Sequence, residues 1–141
     1  METLRASGSD DTPRVLIVED HPMIAELVET RLRIEGMRPT KSLGGREAIE
    51  VLGGQTFDLI ILDIMMPEVD GYEVLKFVRS QESTQHVPVI LLTAKSTQED
   101  VEKGLNLGAD YYVTKPFSGA ELVRKVKILL EQRRAGDTAQ V

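Results

Sequence analysis

Four short, uninterrupted apolar runs punctuate the chain, at residues 15–18, 59–62, 89–92 and 111–113. Because these runs do not alternate with polar residues, they are typical of strands buried on both faces, as in a parallel sheet. A fifth, weaker segment spans residues 37–43. It carries a proline and two basic residues, which an edge strand tolerates and a central strand does not. The pattern therefore predicts five strands, with this one at an edge.

Stretches with helical periodicity separate the predicted strands. The first begins near Pro22, has apolar residues at helical spacing up to Leu32 and ends at Gly36. The other helices are predicted over residues 46–52, 71–79, 98–107 and 119–134. Strands that alternate with helices imply right-handed crossovers and helices on both faces of a parallel sheet, which is the α/β doubly wound class.

Length and composition fit one soluble domain. The 141 residues suffice for a single core, which we place over residues 14–134. The flanking segments 1–13 and 135–141 lack apolar periodicity, so we expect a flexible leader and a flexible tail. The net charge of -6 argues against direct binding of nucleic acid, and the absence of cysteine excludes disulfides and thiolate sites. With neither a membrane-length apolar run nor a signal pattern, the expected location is the cytoplasm.

Polar residues follow the apolar runs at the points where the strands end. They are Glu19 and Asp20, Asp63, Thr93, and Thr114 with Lys115. Since the carboxyl ends of parallel strands meet at one edge of the sheet, three carboxylates, hydroxyl groups and an ammonium are expected there together. Clustered carboxylates repel one another, and an all-oxygen set favours a hard cation such as Mg²⁺.

The same residues suit phosphoryl transfer. Asp63, at the end of a central strand, is the natural nucleophile, and Glu19 and Asp20 are candidate metal ligands. Thr93 and Lys115 can each provide a hydrogen bond to a phosphoryl oxygen.

These motifs resemble the receiver domains of bacterial response regulators of the chemotaxis-regulator type. The similarity lies in Glu19-Asp20, residues 63–71, Thr93-Ala94 and residues 108–117. It implies a flavodoxin-like fold with strand order 2-1-3-4-5, in which Asp63 is the phosphoacceptor. It also implies a cis peptide between Lys115 and Pro116.

The resemblance further implies the cofactor and the switch. Mg²⁺, or Mn²⁺ in its place, would be held by Glu19, Asp20, Asp63 and the main-chain carbonyl of Met65. Thr93 and Tyr112 would form the conformational switch, which acts on the surface of residues 98–107, 111–114 and 119–134. On this interpretation the chain is a signalling protein and not an enzyme.

The resemblance also places partners. A histidine kinase or a histidine phosphotransfer protein would dock on His21, Ile24, Leu27 and Phe117, although Ile24 and Leu27 are equally compatible with the core. A downstream effector or output domain would read the switch. Asp100, Lys125 and Gly104-Leu105 loosely resemble a dimer interface, so a phosphorylation-dependent homodimer is a further expectation.

Two other function classes use similar residues. A receiver-like interaction module that is never phosphorylated has no physical need to gather three carboxylates and an ammonium. An aspartyl-phosphate phosphatase would normally place a second aspartate two residues after the nucleophile, where this chain has Met65. Met65 and Lys95, which flank the attacking water in receivers, are not suited to orienting it. We therefore expect slow self-dephosphorylation.

Overall fold

The computed structural model describes residues 11–95 and 97–139, the last four by backbone alone. Five strands alternate with five helices along this part of the chain. They are β1 (Arg14–Val18), α1 (Pro22–Ile34), β2 (Arg38–Ser42), α2 (Gly45–Leu52), β3 (Leu59–Leu62), α3 (Gly71–Ser80), β4 (Val89–Thr93), α4 (Gln98–Asn106), β5 (Tyr111–Thr114) and α5 (Gly119–Ala139).

The strands form one parallel sheet in the order β2-β1-β3-β4-β5, which confirms the predicted fold class. The weakly apolar β2 lies at an edge, as its proline and basic residues indicated. In the register, Val18 lies opposite Leu62, and Leu62 lies opposite Leu91. The residues that follow β1, β3 and β4 therefore emerge at the same edge of the sheet.

The apolar runs of β1, β3 and β4 are buried on both faces because each face is covered by helices, whereas β5 lies at the other edge of the sheet and its Tyr111 and Tyr112 are only half-buried. The first core cluster joins Leu16, Val18, Ile60, Leu62 and Leu91 to side chains from α2 and α3. The second joins Val15, Ile17, Leu59, Ile61 and Ile90 to side chains from α1 and α5. Each fully buried aliphatic side chain stabilises the fold by about 1.5–3 kcal/mol through removal from water, before the entropic cost of ordering is counted.

The C-terminal boundary differs from the prediction. α5 continues to Ala139, so the tail expected to be flexible from residue 135 is helical over residues 135–139. This segment has no proline to interrupt backbone hydrogen bonding, which continues past Arg134. The rest of the predicted tail and residues 1–10 of the predicted leader lie outside the described residues. Within the described part of the chain, none of the helices combines the length and apolarity that a membrane crossing requires.

Candidate functional site

Three carboxylates converge at the carboxyl edge of the sheet. Glu19 and Asp20 follow β1, and Asp63 follows β3. One oxygen from each lies within 4.8 Å of one from each of the others. Glu19 and Asp63 are buried and Asp20 is half-buried. The set consists only of hard oxygen donors, and its spacing fits a Mg²⁺ ion held between the strand ends.

Lys115, which follows β5, supplies the opposite charge. Its Nζ lies 2.6 Å from Oε1 of Glu19 and 3.2 Å from Oδ2 of Asp63. Burial disfavours the ammonium, but the hydrogen bonds and charges of the two carboxylates together outweigh it and raise the pKa of Lys115. The peptide between Lys115 and Pro116 is cis, as the resemblance implied. Lys115 is therefore held as a cation between two buried acids.

The remaining oxygens of these acids bind backbone amides. The His21 amide donates to Oε2 of Glu19 at 3.0 Å, and the Met65 amide donates to Oδ1 of Asp63 at 3.2 Å. Burial raises the pKa of Glu19, and the charge of Asp63 adds to the effect, against the lowering influence of Lys115 and the His21 amide. Both oxygens of Asp63 are thus oriented before any ligand binds.

At Gly71, the start of α3 packs closely against the backbone of Asp63. A Cβ at this position would lie 2.2 Å from the Asp63 carbonyl oxygen and 2.6 Å from Cα of Ile64. The Gly71 amide also donates to the Ile64 carbonyl at 2.9 Å. Asp70 caps α3 in a reciprocal pair of hydrogen bonds with Glu73. The helix therefore begins in direct contact with the Asp63 backbone.

The two predicted switch residues meet at Lys95. Thr93 is fully buried at the end of β4, and its Oγ1 accepts a hydrogen bond from the Lys95 amide at 3.3 Å. The Tyr112 hydroxyl donates to the Lys95 carbonyl. Burial, with smaller contributions from Tyr72, Asp100 and Asp63, raises the pKa of Tyr112 to about 12. One residue of the β4–α4 loop is therefore bonded to both members of the predicted switch.

The predicted docking residues divide into exposed and half-buried positions. His21 is exposed at the N-cap of α1, and Leu27 is 61% exposed. Ile24 and Phe117 are half-buried against the second core cluster. The alternative that placed Leu27 in the core is wrong, because the buried stripe of α1 runs through Val28 and places its neighbour about 100° around the helix.

Met23 is an exposed apolar residue of α1 that was not predicted from the sequence. It is 77% exposed on α1 and lies one helical turn before Leu27. The i, i+4 spacing of two apolar residues could have identified the pair, but a buried stripe gives the same spacing. Because both side chains are exposed, the pair lies on the surface of α1 and not in a buried stripe.

An open groove of about 440 Å³ lies next to the β3–α3 loop, which follows Asp63. Its lining residues come from the β3–α3 loop, the start of α3, Lys95 and α4, and they are Ile64, Met65, Met66, Asp70, Tyr72, Lys95 and Lys103. Met65 is 54% exposed in this groove. The groove is therefore lined by two thioethers, two ammonium groups, an aromatic ring, an aliphatic side chain and one carboxylate, that of Asp70.

A family model described as the response regulator receiver domain matches residues 15–127. The chain is 44% identical over 134 residues to the probable transcriptional regulatory protein TcrX of Mycobacterium tuberculosis, a match that covers 95% of this chain and 55% of that protein. It is 42% identical over 120 residues to the response regulator SaeR of Staphylococcus aureus, with 85% and 51% covered.

Among solved structures, the receiver domain of the Francisella response regulator 1452 aligns with a TM-score of 0.81 and 37% identity, covering 86% of this chain and 99% of that one. The chain spans about half the length of the curated relatives it matches.

Proposed function

The chain belongs to the response-regulator receiver family, and from this premise we propose that Asp63 accepts a phosphoryl group in a Mg²⁺-dependent reaction that switches one surface of the domain. The observation that carries the proposal is the convergence of Glu19, Asp20 and Asp63 with Lys115 at one edge of the sheet. A scaffold gains nothing from such a cluster, since gathering like charges costs stability.

The donor in this proposal is a phosphohistidine of a histidine kinase or a histidine phosphotransfer protein. A carboxylate oxygen of Asp63 attacks phosphorus, the P–N bond breaks, and its electron pair returns to the imidazole nitrogen. The Met65 amide and the Lys115 ammonium hold the two oxygens of Asp63, which limits its motion before attack. Lys115 is also close enough to pair with a phosphoryl oxygen once the group is attached.

Glu19, Asp20, Asp63 and the Met65 carbonyl would hold Mg²⁺, which when bound neutralises charge on the phosphoryl oxygens. Mn²⁺ prefers similar oxygen ligands and is proposed as a substitute.

The proposed response begins at Thr93. A phosphoryl group offers new acceptors to the Thr93 hydroxyl, which would turn to donate its proton to a phosphoryl oxygen, and this movement would alter the bond that its oxygen accepts from the Lys95 amide. Tyr112 would follow through the same loop. The affected area, here called the switch surface, consists of α4, β5 and α5. Moving it from about 1% to 99% active requires roughly 5.5 kcal/mol of preference for one state, which a few charge-assisted bonds can supply.

Two surfaces are proposed for partners. His21, Leu27 and Phe117, with Ile24 beneath them, form the docking site for the phosphoryl donor on and next to α1. The switch surface contacts the downstream effector or output domain. A homodimer that forms through the switch surface on phosphorylation is part of the proposal, and the exposed Leu105 offers an apolar contact for it.

Incubation with acetyl phosphate and Mg²⁺, followed by intact-mass spectrometry, tests the proposal. We expect a stable adduct on the native chain and none on Asp63→Asn. Glu50→Gln, which removes an exposed carboxylate of α2, should retain the adduct. Continuous release of inorganic phosphate would favour the aspartyl-phosphate phosphatase instead. Absence of both adduct and turnover would leave only the interaction module.

A further inference from the structure

Tyr72, the second residue of α3, connects this helix to α4. Its ring is buried in the first core cluster and is 5% exposed. Its hydroxyl donates a hydrogen bond to the Asp100 carbonyl in the first turn of α4, with 3.3 Å between the oxygens. The Lys103 ammonium lies 4.2 Å from the ring centroid, within the range of cation–π attraction. Two separate contacts therefore hold α4 against the start of α3.

On the α3 side, the position of Tyr72 depends on Asp63. The preceding Gly71 packs on the backbone of Asp63 and Ile64 so closely that a Cβ would not fit. Any displacement of the Asp63 backbone must therefore move the start of α3, and with it the Tyr72 ring.

On the α4 side, the same turn of helix is bonded to the β4–α4 loop. The Asp100 carboxylate accepts from the Thr97 hydroxyl at 2.7 Å and lies 3.7 Å from Nζ of Lys95. The carbonyl of Lys95 accepts from the Tyr112 hydroxyl. The turn that Tyr72 holds is thus linked to the tyrosine of the switch.

Gly104 brings α4 onto Tyr112 directly. A Cβ at Gly104 would lie 3.5 Å from the Tyr112 ring and 2.5 Å from Cδ1 of Leu91. Because the helix rests on the ring with no intervening side chain, the positions of α4 and Tyr112 constrain each other.

We propose that Tyr72 is a positioning residue of the phosphorylation switch, which fixes the first turn of α4 relative to Asp63 in the arrangement where Tyr112 lies beneath α4. The inference rests on the proposed function of Asp63 and Tyr112. It gives the phosphoacceptor a second connection to the switch surface, through Gly71 and Tyr72, besides the one through Thr93. A contact that favours one arrangement of α4 also favours the ligand that prefers that arrangement.

Tyr72→Phe tests the proposal because it keeps the ring and removes the hydroxyl. We expect beryllofluoride with Mg²⁺ to bind this variant about two- to tenfold more weakly, as the loss of one hydrogen bond allows. Backbone NMR measures the affinity. Without ligand, the amides of α4 should exchange with solvent several-fold faster, while those of β1 and β3 are unchanged. Thr84→Val is the matched control, since it removes another buried hydroxyl that donates to a backbone carbonyl, that of Val78 in the last turn of α3 and outside the switch surface. It should bind beryllofluoride within twofold of the native chain.

The same affinity measurement, repeated with Tyr112→Phe as the starting protein, distinguishes positioning of the switch from general stabilisation of the fold. If Tyr72 acts through the switch, the effect of Tyr72→Phe on beryllofluoride affinity should fall below twofold when Tyr112 is already phenylalanine. An equal loss in both backgrounds, or native affinity in the single variant, would overturn the inference. Failure of the native chain to bind beryllofluoride would instead remove the proposed function.

Discussion

At the scale of single residues, Lys115 offsets part of the repulsion within the acidic cluster. A surface ion pair contributes little, but Lys115 is held between two buried carboxylates where water screens less. In each of these two carboxylates, the second oxygen accepts a hydrogen bond from a backbone amide. The ammonium and the amides thus partly compensate the burial of Glu19 and Asp63.

We expect Met65 to set the lifetime of the proposed phosphoryl group. Its exposed thioether flanks Asp63 and cannot orient an attacking water as an amide can. We expect Met65→Asn to accelerate loss of the phosphoryl group by about tenfold or more, because water-positioning groups contribute on this scale or above it. The decay of the adduct after removal of acetyl phosphate, followed by intact mass, measures the rate.

Met23→Asn provides the control for this prediction. It makes the same substitution at another exposed methionine, on α1. Its adduct should decay at the native rate. Equal decay of the adduct in Met65→Asn and in the native chain would remove the hypothesis of slow self-dephosphorylation.

Ionisation of Tyr112 lowers the stability of the fold at alkaline pH. Burial raises its pKa to about 12, whereas an unfolded tyrosine ionises near 10. The resulting contribution to stability is complete below pH 10 and is lost as the pH rises to about 12. We expect urea midpoints of the native chain to fall more steeply over this interval than those of Tyr112→Phe. A Tyr112 ring resonance that titrates near pH 10 would contradict this.

At the scale of elements, the strands could be predicted because their signal is local. Uninterrupted apolar runs are typical of strands covered on both faces, as β1, β3 and β4 are, although the half-buried edge strand β5 has one too. β3 coincides with its predicted run, while β1, β4 and β5 extend theirs by one residue. The position of the carboxylates followed from strand direction alone. The edge location of β2 followed from its proline, whose missing donor a central strand does not tolerate.

Contacts between elements could not be predicted in the same way. Helical spacing does not tell which side of α1 is covered, so Leu27 fitted both core and surface. The bond from Tyr72 to Asp100 joins residues 28 apart, and nothing in either local sequence indicates it. The end of α5 was misplaced because loss of apolar periodicity does not itself interrupt backbone hydrogen bonding.

Arg79 at the end of α3 joins two loops at the amino edge of the sheet. Its guanidinium donates to the carbonyls of Gly108 and Val87 at 2.6–3.0 Å and to the Asp110 carboxylate at 3.1 Å. We expect Arg79→Met to lower the free energy of unfolding by about 2–4 kcal/mol, because it leaves several acceptors unpaired. Urea unfolding measures the loss.

Arg79→Lys and Arg46→Met complete this test. A single ammonium cannot reproduce the planar fork, so Arg79→Lys should recover less than half of the loss. Arg46 is largely exposed and lies 3.9 Å from an equally exposed Glu68, so its replacement should cost under about 0.5 kcal/mol. A loss as large at Arg46 would show that the effect is one of net charge.

At the scale of the whole molecule, the two edges of the sheet differ in what they contribute. At the amino edge, acidic side chains are neutralised by their neighbours. The Asp110 carboxylate, for example, accepts hydrogen bonds from both Arg79 and the Val89 amide. The carboxyl edge collects acids whose mutual repulsion opposes folding. Because three carboxylates face a single ammonium among the residues that the structure describes, that of Lys115, this edge keeps a net negative charge, and the fold is stabilised by other parts of the structure, as is common at functional sites.

This asymmetry predicts that Mg²⁺ stabilises the native chain but not a variant with a weaker site. At a concentration one hundred times its dissociation constant, an ion that binds only the folded state adds about 2.7 kcal/mol to the free energy of unfolding. Asp20→Asn should be at least as stable as the native chain without Mg²⁺, because one repulsive charge is gone, and should gain less when Mg²⁺ is added. Urea unfolding with and without MgCl₂ measures both differences, with Glu50→Gln on the exposed face of α2 as the control that keeps the full gain. If Asp20→Asn kept the native gain, the carboxylate of Asp20 would not be a ligand, and the stabilising ion would have to bind elsewhere.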